Sequence, residues 1–303
     1  MSLFTKEINN RDDWDKMLGS ISVFTPLVEH IMNKTNLPLA KIEKALHGTN
    51  AVFKTGNYIV KIYAPNLSGI DDFTEFNNEL FGTNRANKLG VPAPKVIADG
   101  FIDDKYCFAY MVTEYINGIG LDEVFKMASD CEKVAIARKL RTITDKMNIP
   151  CEPFNSINVF DDKGRYPCWD KYPERFKMER LEYIKSCDYG KNVFVHGDLG
   201  RDNILLTSQG ELYIIDFGDA VLAPKAYEHV LLVLDFNFDP ALRQGYFYDY
   251  ISDAFVQMCF DGLLIHEYAI EYVEEHIGDA DEFHSLEDLR NWLKQKIELC
   301  QYR

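Results

Sequence analysis

The chain carries the run Val193-Phe194-Val195-His196-Gly197-Asp198-Leu199-Gly200-Arg201-Asp202-Asn203-Ile204-Leu205 and, shortly after it, Ile214-Ile215-Asp216-Phe217-Gly218-Asp219-Ala220. Apolar residues flank each polar cluster and predict short buried strands, so both clusters fall in loops whose ends are held. In the first loop a carboxylate, Asp198, and an amide, Asn203, stand at the spacing H-x-D-x-x-x-x-N. In the second, Asp216 follows the apolar strand Leu212 to Ile215 and precedes Phe217-Gly218. A carboxylate can position an attacking hydroxyl and take its proton, while an amide oxygen and a second carboxylate suit the magnesium ions that bridge nucleotide phosphates. Either motif alone arises by chance; the pair, in this order and a hairpin apart, points to phosphoryl transfer. His196 reads as a residue that orients the loop by hydrogen bonding rather than one that moves a proton.

Towards the N-terminus, Asp12 to Asn33 has apolar residues at loosely helical spacing and predicts one or two short helices interrupted at Pro26. Ala40 to Leu46, Ala51 to Lys54 and Tyr58 to Tyr63 predict a three-stranded antiparallel meander with turns between them. A helix capped by Asp71-Asp72 and ended by Gly90 is expected next, followed by strands over Lys95 to Phe101 and Tyr106 to Glu114. Lys61 lies inside an apolar strand, where a charge is costly unless it is paired or meets an anion. Glu75 and Glu79, one turn apart on one face of the helix, are the candidate partners, with Glu79 preferred; a solvated lysine and two surface glutamates are the alternative. His47-Gly48-Thr49-Asn50-Ala51 would cover the nucleotide phosphates through backbone amides and the Thr49 and Asn50 side chains, although by itself it reads as an ordinary hairpin turn. From Gly118 onward the texture turns helical, with breaks only for the short strands of the quoted run.

These segments resemble the aminoglycoside phosphotransferase family, part of the protein-kinase-like superfamily that also holds choline kinases. The likeness rests on His196 to Leu205 and Ile214 to Ala220. It is supported by Glu79, by Val91-Pro92-Ala93-Pro94, and by Glu114-Tyr115-Ile116-Asn117-Gly118 leading to Leu121, and it spans most of residues 40 to 230. The resemblance implies an α+β, protein-kinase-like bilobal fold: a nucleotide-binding lobe over residues 1–114, a hinge at 115–120 and a helical lobe over 121–303. It implies Asp198 as catalytic base, Asn203 and Asp216 as Mg2+ ligands, and Lys61, supported by Glu79, as the phosphate contact. The base of ATP or GTP would meet backbone groups of Glu114 and Ile116. Gly200 stands where protein kinases carry a phosphate-binding lysine, and Arg201 next to it is the candidate to take over, a solvent-facing arginine being the alternative. Glu228 occupies the place of a family aspartate and reads as an anchor, with a substrate contact as the other reading.

For the acceptor, an aminoglycoside carries ammonium groups and hydroxyls and needs carboxylates. Asp235, Asp239, Glu267 and Glu271 are the candidates, with Glu274 and Glu275 continuing one acidic helical face among Tyr268 and Tyr272. Such a face is by default solvated, so Asp235 and Asp239 are favoured. An aromatic, acidic pocket would also suit choline or another hydroxylated metabolite, and an inactive nucleotide-binding scaffold is a third possibility.

Composition narrows the classes. The 303 residues are 47% hydrophobic, enough for a large core, and the formal net charge of −15 disfavours nucleic acid and favours cationic small molecules, or simply maintains solubility. Seven cysteines without a C-x-x-C pair, no leader-like opening and no membrane-length apolar run predict a cytoplasmic, soluble monomer or dimer. An antibiotic-resistance role follows from the resemblance alone.

Overall fold

The computed structural model describes residues 2–45, 48–65, 73–161, 168–277 and 283–300. The chain divides into two compact units, Met1–Asn117 with Ile215–Asp219, and Gly118–Ile214 with Ala220–Arg303.

The first unit runs α1 (Arg11–Asp15), α2 (Ile21–Lys34), β1 (Ile42–Lys44), β2 (Ala51–Thr55), β3 (Tyr58–Ile62), α3 (Thr74–Leu89), β4 (Val96–Asp103) and β5 (Cys107–Glu114). Its strands form one antiparallel sheet in the order β1-β2-β3-β5-β4, with α3 between the third and fourth strands in sequence. Both faces are covered. Phe108, Tyr110 and Val112 of β5 join the α2 residues Phe24, Leu27, Val28, Ile31 and Met32 in one cluster, while Ala109 and Met111, at the alternate positions, join Tyr63 and Phe76 in the other. This is the period-two alternation of a strand read from both sides.

Pro26 does not interrupt α2; the helix continues through it. A proline inside a helix costs about 3 kcal/mol, because it lacks the N–H for the preceding turn and crowds its carbonyl. Five side chains of α2 are nevertheless fully buried. At roughly 1.5–3 kcal/mol for each such burial, packing exceeds the proline penalty several-fold. The Asp71-Asp72 cap lies outside the described residues, as does His47, and α3 begins behind Phe73 at a left-handed φ of 69° without a side-chain cap.

The second unit contains β6 (Gly118–Gly120), α4 (Leu121–Met127), α5 (Asp130–Met147), α6 (Glu174–Ser186), β7 (Val193–Val195), a 3-10 turn at Arg201–Asn203, β8 (Ile204–Thr207), β9 (Leu212–Ile214), β10 (Val221–Ala223), α7 (Lys225–Asp235), α8 (Pro240–Gly245), α9 (Ser252–Ile265), α10 (Ala269–Ile277) and α11 (Leu286–Cys300). Two of its strands escape sequence reading. β6 falls in the expected hinge and pairs with β8, and β10 pairs with β7. The rung Val195↔Val221 and the rung Ile204↔Ile214 therefore bracket both quoted segments at their two ends.

Helix α7 is buried almost throughout, from Tyr227 to Leu234. It meets α9 so closely that a Cβ at Gly262 would stand 2.1 Å from the Ala226 carbonyl oxygen. Among the described residues no helix is long and apolar enough to cross a membrane, and no cysteine forms a disulfide.

Candidate active site

In the first unit, Lys61 leaves β3 on the face that holds α3 and is 7% exposed. Its Nζ lies 2.6 Å from Glu79 Oε2 and 2.7 Å from Asp216 Oδ1. Burial alone would lower the lysine's pKa; the carboxylates of Asp216, Glu79 and Glu75 outweigh it and hold the ammonium charged well above its ordinary range. Burial also pushes Glu79 up to about 7, against the pull of Lys61 and of the Tyr63 hydroxyl. Tyr63 donates to Glu79 Oε2 at 2.6 Å. It stands two residues after Lys61 on the same side of the strand, the sequence signal for this contact being the spacing of Lys61 and Tyr63.

Glu75, the other glutamate on α3, accepts from Thr49 Oγ1 at 2.7 Å and from Asn50 Nδ2 at 2.6 Å. Asn50 Oδ1 in turn accepts the Ala64 N–H. The side chains expected to contact phosphates are thus tied to α3 and to the end of β3, and they fix the shape of the turn that contains Gly48. Glu114 Oε1 accepts the Lys95 N–H at 3.0 Å, and Ile116 lies in the irregular stretch just beyond β5.

The segment Ile215–Asp219 packs on α3. Phe217 is fully buried, and a Cβ at Gly82 would stand 2.7 Å from the Phe217 Cβ, so a small residue is needed there. Asn78 Nδ2 donates to the Gly218 carbonyl at 3.1 Å. Asp216 itself has φ 64°, a left-handed conformation that aspartate tolerates better than most residues, and its side chain is 43% exposed.

In the second unit, Asp198 is half-buried in the loop between β7 and β8. Asn203 Nδ2 donates to Asp198 Oδ2 at 2.9 Å and to the Asp198 carbonyl at 2.8 Å. With its NH2 spent on Asp198, Asn203 presents an amide oxygen, the donor type a hard cation prefers. The loop is anchored from below by Glu228 on α7, which accepts the His196 N–H and, at 2.8 Å, Asn148 Nδ2. Asn148 also donates to the Phe194 carbonyl, an anchor that nothing in the sequence marks.

Burial raises Glu228 to about 7, outweighing the hydrogen bonds from Asn148, His196 and Gly197 that favour its anion. The folded state then holds this proton more tightly than the unfolded state, whose carboxyl titrates near 4.5. The contribution to stability is fully present below about pH 4.5 and is lost as pH rises through 7, on the order of 3 kcal/mol at 1.36 kcal/mol per unit. Denaturation midpoints between pH 5 and pH 8 should fall for the wild type and follow a flatter profile for Glu228→Gln. Superimposable profiles would show that Glu228 ionises alike in both states.

Arg201 pairs with Asp122 at 3.1 Å through Nη1 and with Asp235 at 3.3 Å through Nε, and its N–H donates to Asp235 Oδ2. Asp239 caps α8 by accepting the Ala241 N–H and pairs with Lys133 at 3.1 Å. The two favoured acceptor carboxylates are therefore both engaged within the protein. Glu267 is 6% exposed, and Glu274 is bound by Lys171 and Tyr172; Glu271 and Glu275 on α10 are exposed. Helix α10 and the residues before it lie against the loop: Tyr268 donates to the Gly197 carbonyl at 3.0 Å. The Tyr272 hydroxyl has its pKa raised by burial and by the charges of Asp235, Asp198, Glu275 and Asp202. Among the described residues no three His, Cys, Asp or Glu side chains form a metal cluster by themselves.

Residues 42–260 match the family model described as the phosphotransferase enzyme family. Solved structures with the same protein-kinase-like fold include the GDP complex of wild-type aminoglycoside 2'-phosphotransferase-IIIa, 18% identical over 91% of this chain and 96% of that one, with a TM-score of 0.57. A thermostable mutant of aminoglycoside phosphotransferase APH(4)-Ia is 13% identical over 90% and 98%, also with a TM-score of 0.57. Choline kinase LicA from Streptococcus pneumoniae is 17% identical over 90% and 99%, with a TM-score of 0.55. No curated protein matches the chain by sequence.

Proposed function

The chain belongs to the phosphotransferase enzyme family, and on that premise we propose that it moves the γ-phosphoryl group of ATP or GTP to a hydroxyl of an aminoglycoside. The observation that carries this reading is the Asp198–Asn203 pair, joined at 2.9 Å in a loop bounded by two strands. Asp198 accepts the proton of the acceptor hydroxyl as its oxygen attacks the γ-phosphorus, and the bond from that phosphorus to the bridging oxygen breaks to release the nucleoside diphosphate. Lys61, kept charged by its carboxylates, meets phosphate oxygens. Asn203 and Asp216 are the residues that would hold Mg2+, which when bound neutralises charge on the phosphates. Arg201, fixed by Asp122 and Asp235, positions the loop rather than touching the reacting atoms.

Exposed Glu271 and Glu275 on α10 favour a polycationic acceptor, while Asp235 and Asp239 are engaged by Arg201 and Lys133. Trp169 is 7% exposed and covered by Arg180, whose guanidinium carbon is 4.3 Å from the ring centre, so its face is not offered to a quaternary ammonium. A panel of aminoglycosides and choline, each offered with magnesium and either ATP or GTP, tests the proposal. Phosphate on an aminoglycoside hydroxyl is the expected result. Turnover on choline alone would reassign the acceptor to a quaternary-ammonium alcohol, and nucleotide binding with no acceptor turned over would make the protein a scaffold.

A further inference from the structure

The second unit contains a cavity of about 200 Å³ bounded by the end of α7, by α8, by the first half of α9 and by α11. Val233, Phe238, Leu242, Phe247, Phe255 and Ile297 line it, and each is at most 7% exposed. One cation stands in this apolar wall. Arg243 donates through Nη2 to the Tyr250 carbonyl at 3.1 Å and stacks on Phe255, its guanidinium carbon 3.7 Å from the ring centre. Its Nη1 is buried and finds no acceptor among the described residues. Asp239 also lines the cavity, but its two oxygens go to the Ala241 N–H and to Lys133. Burial lowers the Arg243 pKa, with Cys259 as the smaller opposing influence. A charged donor buried without an acceptor is a standing cost that a native fold rarely keeps without a use.

We propose that this cavity binds a compact apolar monocarboxylate, an aryl or branched-alkyl acid whose carboxylate accepts from Arg243 Nη1 and whose body fills the space among Phe247, Phe255 and Ile297. Size and charge both select this class. A dry apolar cavity of about 150 Å³ holds a benzene ring, so 200 Å³ accommodates a ring with a carboxylate. One guanidinium NH2 without an acceptor in a largely apolar wall suits one negative charge; a phosphate dianion would bring more acceptors and charge than it can satisfy. The site draws on none of the residues assigned to nucleotide, metal or proton transfer; of the acceptor candidates only Asp239 borders it, and its oxygens are committed to Ala241 and Lys133, so the site does not depend on that reading.

Calorimetric titration of the full-length protein with benzoate and with neutral benzyl alcohol tests it. Benzoate should bind saturably at millimolar concentration, about tenfold more tightly than benzyl alcohol, as a charge-assisted hydrogen bond in an apolar site requires. Arg243→Met should remove that tenfold advantage and leave benzyl alcohol affinity within about twofold, since the apolar walls are untouched. No saturable benzoate binding, equal affinity for both ligands in the wild type, or benzoate affinity unchanged in Arg243→Met would each overturn the proposal. The wild-type comparison of the two ligands decides the matter even if the variant fails to fold.

Discussion

Asp198→Asn should lower the turnover number for phosphoryl transfer by roughly 10²- to 10⁴-fold, the range for loss of a general base, while nucleotide affinity changes little. The substitution keeps size and shape, and Asn203 Nδ2 can still donate to the side-chain oxygen that replaces Asp198 Oδ2. What disappears is the ability to accept the acceptor's proton and the negative charge that aligns its hydroxyl. The readout is steady-state kinetics with nucleotide binding measured in parallel. A variant with unchanged turnover would remove Asp198 from the chemistry, and one that also fails to bind nucleotide would show a structural defect instead. Asn203→Ala is a useful companion, because it removes the Nδ2 donor to Asp198 Oδ2 while leaving the carboxylate in place.

Lys61→Met should destabilise the protein by about 3–5 kcal/mol at pH 8, the typical cost of leaving a buried charge without its partner. The carboxylate left behind is Glu79, whose side chain is 6% exposed; Asp216, at 43%, can turn to solvent. Glu79 has an escape. Burial already pushes its pKa up to about 7, and without the ammonium it takes a proton still more readily. The folded variant then binds a proton that the unfolded chain releases near 4.5, so its stability is highest in acid and falls as pH rises towards and past neutrality. Denaturation midpoints measured at pH 6 and pH 8 should therefore diverge more in Lys61→Met than in the wild type. Equal penalties at both pH values would mean that the pair contributes nothing through charge. Nucleotide affinity should fall as well, because among the described residues of the first unit no other cation is held at that place on β3 by two carboxylates.

Much of the architecture is legible in the residues. Strands β2, β3 and β5 announce themselves by β-branched and aromatic runs between turn residues, and α3 by apolar recurrence and the glycine that ends it. β6 and β10 are not legible: three residues each, Gly118–Gly120 and Val221–Ala223, are too few to show a period and become strands only because β8 and β7 offer free edges. Pro26 misleads in the opposite direction, since a local rule for helix breaking is overridden by a buried face whose energy is tertiary. The acceptor carboxylates show the same limit. Asp235 and Asp239 are acidic residues near the loop in sequence, but their partners Arg201 and Lys133 are visible only in three dimensions.

The sequence by itself determined the chemistry on offer: an aspartate and an asparagine at one spacing, a second aspartate after a buried strand, and a lysine inside an apolar one. Those are local facts, carried by residue type and short-range period. Only the tertiary structure decided which charges meet. Lys61 and Asp216 are 155 positions apart and Asn148 and Glu228 are 80 apart. Pairings of that kind follow from which faces are buried against each other, because a buried charge is tolerated only where packing delivers its partner.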